Sequence, residues 1–254
     1  MDKNTSQEVK GTEVYSEGHA EKAIVAASET AVTKPVESGS YITGLLQGLK
    51  EDFIAANDGL DMDFVYMGTW LVINKKGNFV EKDDESVSYG DKIDIVVGQG
   101  EKRWSLWGQK DSPEDGQLLV ACKEKEEAIA ELTAWLQENP DANDRYTVND
   151  IELRYMAYVV PVDSLSADGF PKIYLMSFAP TATIAYGRYA MSVYQGKFKN
   201  QGIAPRVGIN KVVTRLTTKE EKSKTDKSIS WLALQFEAVG MFNPADYGIA
   251  GQAE

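Results

Sequence analysis

The chain has 254 residues, of which 43% are apolar, and its formal net charge is −12 at pH 7. The chain has one cysteine, Cys122, and one histidine, His19, which excludes an internal disulfide and a Cys/His zinc site. A serine or cysteine nucleophile would have only His19 as its general base. No apolar run approaches the length of a membrane span and no apolar segment begins the chain, so we expect an intracellular protein without a signal peptide.

The N-terminal part of the sequence divides into a polar tail and a helix. Residues 1–37 are rich in Ser, Thr, Glu, Lys and Ala and lack periodicity, which predicts a disordered tail. From Ser40, apolar residues recur at helical spacing as far as Ile54, and the turn-forming residues 57–59 follow. This pattern predicts an amphipathic helix that packs on a sheet.

Runs of β-prone residues, separated by turn signals, dominate the rest of the chain and predict about seven strands. The first of these strands covers residues 64–73. The clearest helix spans residues 123–138, and another begins at Pro180 and ends near Gly196. After it, two strands with a lysine-rich tip over residues 218–227 predict a hairpin.

A short run in the first half of the chain, GEKRWSLWG, combines cations with aromatic rings. It places Lys102 and Arg103 beside Trp104 and Trp107. Strand alternation puts tryptophans three residues apart on opposite faces, so at most one of the rings fits a core comfortably. The other is then exposed beside the cations. Base stacking and ordinary packing both remain open for this pair.

The main charge feature is the stretch 186–227, which carries ten basic residues and three acidic ones. Its net charge is therefore +7, and the remaining residues sum to −19. Four aromatic residues lie among these cations. Cations neutralise phosphates and rings stack on unpaired bases, so the stretch is typical of a surface that binds a single nucleic-acid strand. The alternative is a solvated basic face beside core aromatics.

The candidate binding residues come from these two segments. Phosphate contacts are expected from Lys102, Arg103, Arg188, Lys197, Lys199, Arg206, Lys211 and Arg215. Base stacking is expected from some of Trp104, Trp107, Tyr186, Tyr189 and Tyr194. No phosphate-binding loop, zinc-type cysteine pair or hydrolase motif occurs, so we expect no catalytic residue, metal or cofactor.

The predicted elements form a mainly β fold with flanking helices (α+β). About seven strands with one helix inserted between the third and fourth resemble an OB-fold. In FVYMGTWLVINKKG, GEKRWSLWG, DIELRYMAYVVPV and the helix plus hairpin from Pro180 to Phe236, the chain resembles the single-stranded DNA-binding proteins of tailed bacteriophages. We predict an elaborated OB-fold-like antiparallel barrel over residues 38–242 and a flexible C-terminal tail at residues 243–254.

The first hypothesis is therefore non-enzymatic, sequence-independent binding of single-stranded DNA in phage DNA replication or recombination. It implies a location in the host cell cytoplasm and replication or recombination proteins as further partners. The alternative is a non-catalytic virion or protein-interaction module, including an acidic nucleic-acid mimic, which the charge of −19 outside the basic stretch favours. A metal-dependent nuclease is a third hypothesis, which no motif favours.

Overall fold

The structure, a computed structural model, describes residues 38–57, 69–166, 170–223, 225–228 and 230–249. The tail predicted for residues 1–37 lies outside the described residues, as do the first part of the strand predicted over residues 64–73 and the end of the chain after Ile249. The described residues fall in one unit, Val36–Glu254.

Three α-helices and nine strands occur among these residues. The helices are α1 (Ser38–Ala56), α2 (Lys125–Glu138) and α3 (Pro180–Tyr194). The strands are β1 (Thr69–Ile73), β2 (Phe79–Glu81), β3 (Ser88–Gly90), β4 (Lys92–Trp107), β5 (Leu118–Cys122), β6 (Glu152–Pro161), β7 (Tyr174–Phe178), β8 (Val212–Lys222) and β9 (Ser230–Met241). No helix in the described part of the chain is long and apolar enough to cross a membrane.

The mainly β fold with flanking helices is confirmed, and the strands form a single curled sheet. Its strand order is β3-β2-β1-β7-β6-β4-β8-β9, and β5 pairs with β4 outside this path. The prediction of a wholly antiparallel sheet is wrong, because β1 runs parallel to β7, with Thr69 opposite Tyr174. The sequence pattern identified most of the strands but not the short strands β2 and β3. The direction of pairing depends on contacts between segments that lie a hundred residues apart.

The long strand β4 connects the parts of the sheet. It pairs with β8 through its first residues, with β6 through most of its length and with β5 through its last residues. The pairing with β6 is interrupted by a bulge between Val97 and Gly100. A Cβ atom at Gly100 would overlap the Tyr155 side chain, so only glycine fits where this ring crosses the strand.

Helices pack on both faces of the curled sheet. Ile42 and Leu46 of α1 are buried against one face, as the predicted amphipathic pattern requires. On the opposite face, which we call the α3 face, Tyr186, Tyr189 and Val193 of α3 are buried in the largest core cluster. These positions are three and four residues apart, so they form one stripe of the helix. Helix α2 forms a separate cluster with β5 and the end of β4.

The buried stripe of α3 should contribute strongly to stability. The ring centroid of Tyr186 lies 5.1 Å from that of Tyr155, 5.2 Å from that of Phe178 and 5.4 Å from that of Phe236. We expect Tyr186→Ala to lower the free energy of unfolding by about 3–5 kcal/mol, because it leaves a cavity among these rings. Urea denaturation measures the change.

Tyr194→Ala is the matched control on the same helix, because its ring is 53% exposed. We expect it to change the free energy of unfolding by no more than about 0.5 kcal/mol. Equal effects of the two substitutions would contradict the orientation of α3 described above.

Candidate nucleic-acid interface

The interpretation of Tyr186 and Tyr189 as base-stacking rings is wrong, because both belong to the core beneath α3. Tyr189 stacks on Phe236 with ring centroids 5.8 Å apart, and its hydroxyl shares a 2.9 Å hydrogen bond with the hydroxyl of Thr214. Burial raises the pKa of Tyr189 to about 12. A ring enclosed on this side of the helix cannot reach a base without unfolding the core.

The opposite side of α3 is exposed and carries a different set of side chains. Ile184, Arg188, Met191 and Tyr194 follow one another at intervals of three and four residues, and all four are exposed. We call these four residues the α3 stripe. It combines apolar side chains, one cation and one ring on the outer surface of a helix whose inner surface is fixed by the aromatic core.

The segment after α3 folds back onto the end of this stripe. The backbone N–H of Arg206 donates a 2.8 Å hydrogen bond to the carbonyl of Tyr194. Gly196 has a φ of 73°, and a Cβ atom there would lie 2.8 Å from Pro205, so glycine allows both the turn and the close approach. The fold-back places Arg206 beside Tyr194 although the two residues are twelve positions apart in the sequence.

Three exposed cations lie in this folded segment: Lys197, Lys199 and Arg206. We call them the basic loop. They follow the C-terminal end of α3, where the unpaired carbonyl groups of a helix carry partial negative charge and favour nearby cations. None of the three, nor Arg188, forms an ion pair with any residue that the structure describes. Their charges are therefore available to an anionic ligand.

A simple sequence signal marks this region more sharply than the net charge of the 186–227 stretch. Residues 169–219 contain eight basic residues and no Asp or Glu, in a chain with 39 acidic residues. The three acids within the earlier stretch all lie in the β8–β9 hairpin after Lys219. The segment therefore gives Arg188 and the basic loop no acidic neighbours close in sequence, although Arg215 of the same segment is paired with Asp94 of β4.

The other predicted cluster does not form one surface. Arg103 is buried, and its guanidinium forms a hydrogen-bonded ion pair with the carboxylate of Glu101. It also donates a 3.2 Å hydrogen bond to the carbonyl of Ala121. The prediction that it contacts phosphate is therefore wrong, because its guanidinium is enclosed and already neutralised.

The two tryptophans of that run lie in different packing environments, as strand alternation predicted. Trp104 packs against the α2 cluster, with the ammonium group of Lys125 5.1 Å from its ring centroid. Trp107 meets Trp70 edge to face at 5.0 Å, and the ammonium group of Lys82 lies 5.9 Å from its ring centroid. Both rings are half-buried and already covered on one side by protein.

Lys102 is exposed, and the strand register places it on the α3 face. It lies opposite Tyr155 of β6, and paired residues of neighbouring strands share a face. The backbone N–H of Tyr155 donates a 3.2 Å hydrogen bond to the hydroxyl of Thr183, in the first turn of α3. Lys102 therefore lies toward the N-terminal end of α3, and the basic loop lies at its C-terminal end.

Two predicted phosphate ligands, Lys211 and Arg215, lie outside this surface. Arg215 is held by two hydrogen bonds of 2.7 and 2.8 Å to Asp94, which raise the pKa of its guanidinium. Together with Lys92 and Lys172 it lines a polar cleft of about 640 Å³. Lys211 is half-buried in the short helical turn before β8. The carboxylate of Asp94 makes Arg215 a weaker phosphate ligand than the sequence implied.

The described residues contain no group of three or more His, Cys, Asp or Glu side chains that could hold a metal ion.

The Cys122 thiol donates a 2.7 Å hydrogen bond to a carboxylate oxygen of Glu131. Burial, together with this carboxylate, raises the pKa of Cys122 to about 12. Its position beside α2 separates it from the α3 stripe.

Comparison of the chain with protein-family models, curated proteins and solved structures finds no match.

The raised pKa of Cys122 predicts slow alkylation of the native protein. Because the thiolate is the reactive form, the iodoacetamide rate should stay low through pH 9 and rise only toward pH 12. In urea the same thiol should titrate near its ordinary value of about 8.5. Mass spectrometry of the labelled protein measures both profiles, and a native midpoint near the unfolded one would contradict the Cys122–Glu131 contact.

Proposed function

We propose that the protein is a non-enzymatic, sequence-independent single-stranded DNA-binding protein that acts in phage DNA replication or recombination. The observation that carries this proposal is the exposed combination of the α3 stripe and the basic loop, in a region without acidic residues. Replication or recombination proteins of the same system are its proposed partners, and the host cell cytoplasm is its proposed location.

The proposed strand runs along the outer side of α3. Arg188 and the basic loop bind phosphates, and Tyr194, between them, supplies a ring on which a base can stack. Ile184 and Met191 offer apolar contacts to sugars and base faces. Helix α3 has 15 residues, so this path is about 22 Å long, with Lys102 toward its other end.

Charge segregation supports a single path rather than general binding. Because the stretch 186–227 carries +7, the rest of the chain carries −19, and this charge repels a polyanion from other surfaces. A nucleic-acid strand held mainly by phosphate contacts and ring stacking forms no hydrogen bonds to the edges of its bases, so its binding does not depend on base identity. The proposed binding is therefore sequence-independent.

We also propose that the curled sheet is an elaborated relative of the OB-fold barrel. The curled, largely antiparallel sheet and the helix α2 between β5 and β6 support this relationship. The parallel contact of β1 with β7 and the additional strands are then elaborations. The DNA-binding proposal itself rests on the α3 surface and holds with or without this relationship.

Tyr194 provides the first test of the binding surface. We expect Tyr194→Ala to weaken binding of a labelled oligothymidine by about 1–3 kcal/mol, roughly fivefold to 150-fold, because one stacking ring is lost. Fluorescence anisotropy at fixed salt measures the dissociation constant. Phe170→Ala removes another exposed ring, outside α3, and should leave the affinity unchanged.

Equal losses for Tyr194→Ala and Phe170→Ala would contradict a specific stacking role for Tyr194. No binding by the unmodified protein at low salt would contradict the proposed function as a whole. Magnesium-dependent cleavage of the oligonucleotide would replace it with a nuclease function.

The basic loop provides a second, independent test. Replacement of Lys197, Lys199 and Arg206 by glutamine should weaken binding and reduce the slope of log affinity against log salt by about 2, because each phosphate contact on a single strand contributes about 0.7. The control replaces Lys75, Lys76 and Lys110, which are also exposed, by glutamine. An identical salt slope for the two triple variants would contradict phosphate binding by the basic loop.

A further inference from the structure

Strand β9 forms one edge of the sheet along twelve residues. On its inner side it pairs with β8 from Ser230 opposite Lys222 to Met241 opposite Val212, and a bulge at Val239 interrupts this pairing. Among the described residues, no other strand, loop or side chain forms a hydrogen bond to β9. The outward-pointing N–H and C=O groups of this edge are therefore free to pair with another strand.

The edge at β9 lacks the features that protect the other edges of the sheet. At the far end of the sheet, β3 has only three residues and follows the acidic segment 83–85. Strand β5 has five residues and packs against α2. Strand β9 is more than twice as long, has no lysine or proline, and carries Glu237 as its one charged residue. A long edge with a single charge is a template on which another strand can pair.

Exposed apolar side chains lie at both ends of β9. Trp231 and Leu232 are exposed near its start, and Val239 and Met241 are exposed near its end. Polar Gln235 and Glu237 occupy the middle. The exposed side chains of β9 are therefore apolar at both ends and polar in the middle. Because of this symmetry, the strand presents nearly the same pattern of exposed side chains in either direction.

We propose that β9 pairs with β9 of a second copy of this chain, antiparallel about a two-fold axis, to form a homodimer with one continuous sheet. The two-fold axis brings the Trp231–Leu232 end of each strand against the Val239–Met241 end of the other. A row of free backbone N–H and C=O groups is matched by the backbone of another extended strand, and the reversible pattern of β9 makes the same strand of a second copy complementary to it. The apolar side chains at both ends are then covered.

The dimer has a consequence for the binding surface. Helix α3 packs on Phe236, in the middle of β9, so each copy places its α3 close to the two-fold axis. The dimer interface and the α3 stripe remain distinct, because the stripe lies on the outer side of the helix. The dimer does not depend on nucleic-acid binding, and it is measured with the protein alone.

Sedimentation equilibrium of the full-length chain tests the dimer. We expect a dimer that dissociates on dilution for the unmodified protein and a monomer for Val239→Lys, because the lysine places a charge at an apolar end of the edge. Val148→Lys is the matched control, since Val148 is 41% exposed and Val239 is 39% exposed. It should dimerise as the unmodified protein does, and circular dichroism of both variants checks that they are folded.

Cross-linking tests the position of the axis. In a Cys122→Ser background, Gln235→Cys places a thiol at the centre of β9, and mild oxidation should join two copies through a disulfide. Val148→Cys in the same background should remain monomeric on a non-reducing gel. A monomer at all concentrations, a dimer that survives Val239→Lys, or a dimer that Gln235→Cys fails to cross-link would each overturn the proposal.

Discussion

The packing of aromatic rings beneath α3 is the interaction on which the rest of the surface depends. Tyr186 lies among the rings of Tyr155, Phe178 and Phe236, and Tyr189 stacks on Phe236 as well. Because these rings come from three strands and the helix, α3 cannot rotate about its axis without breaking several contacts at once. The fixed rotation presents Arg188 and Tyr194 outward, so the core determines which side chains a ligand can meet.

Electrostatics then separates this surface from the rest of the molecule. The cations on β4 and β8 that have acidic neighbours are neutralised locally, as Arg103 is by Glu101 and Arg215 by Asp94. Arg188 and the basic loop have no acidic neighbours within their own segment. The same residue types are therefore structural in one place and available to a polyanion in the other, and the difference comes from neighbouring carboxylates rather than from the cations themselves.

Strand β4 and the edge strand β9 have different roles in the sheet. Strand β4 pairs with three other strands and holds the central part of the sheet together. Strand β9 supports α3 through Phe236 while its other side stays unpaired. A single strand thus contributes to the core, to the orientation of the proposed binding surface and to the proposed dimer interface.

The sequence by itself determined the helices, most strands, the separation of α3 into a tyrosine side and an Ile184–Met191 side, and the concentration of positive charge after Pro180. Local periodicity and composition carry these features, since each depends on residues close together in the chain. Only the tertiary structure decided which side of α3 is buried, that Arg103 is paired with Glu101, and that β1 runs parallel to β7. Each of these outcomes depends on which distant segments come into contact, and a pattern of tyrosines and arginines is the same whether it faces a core or the solvent.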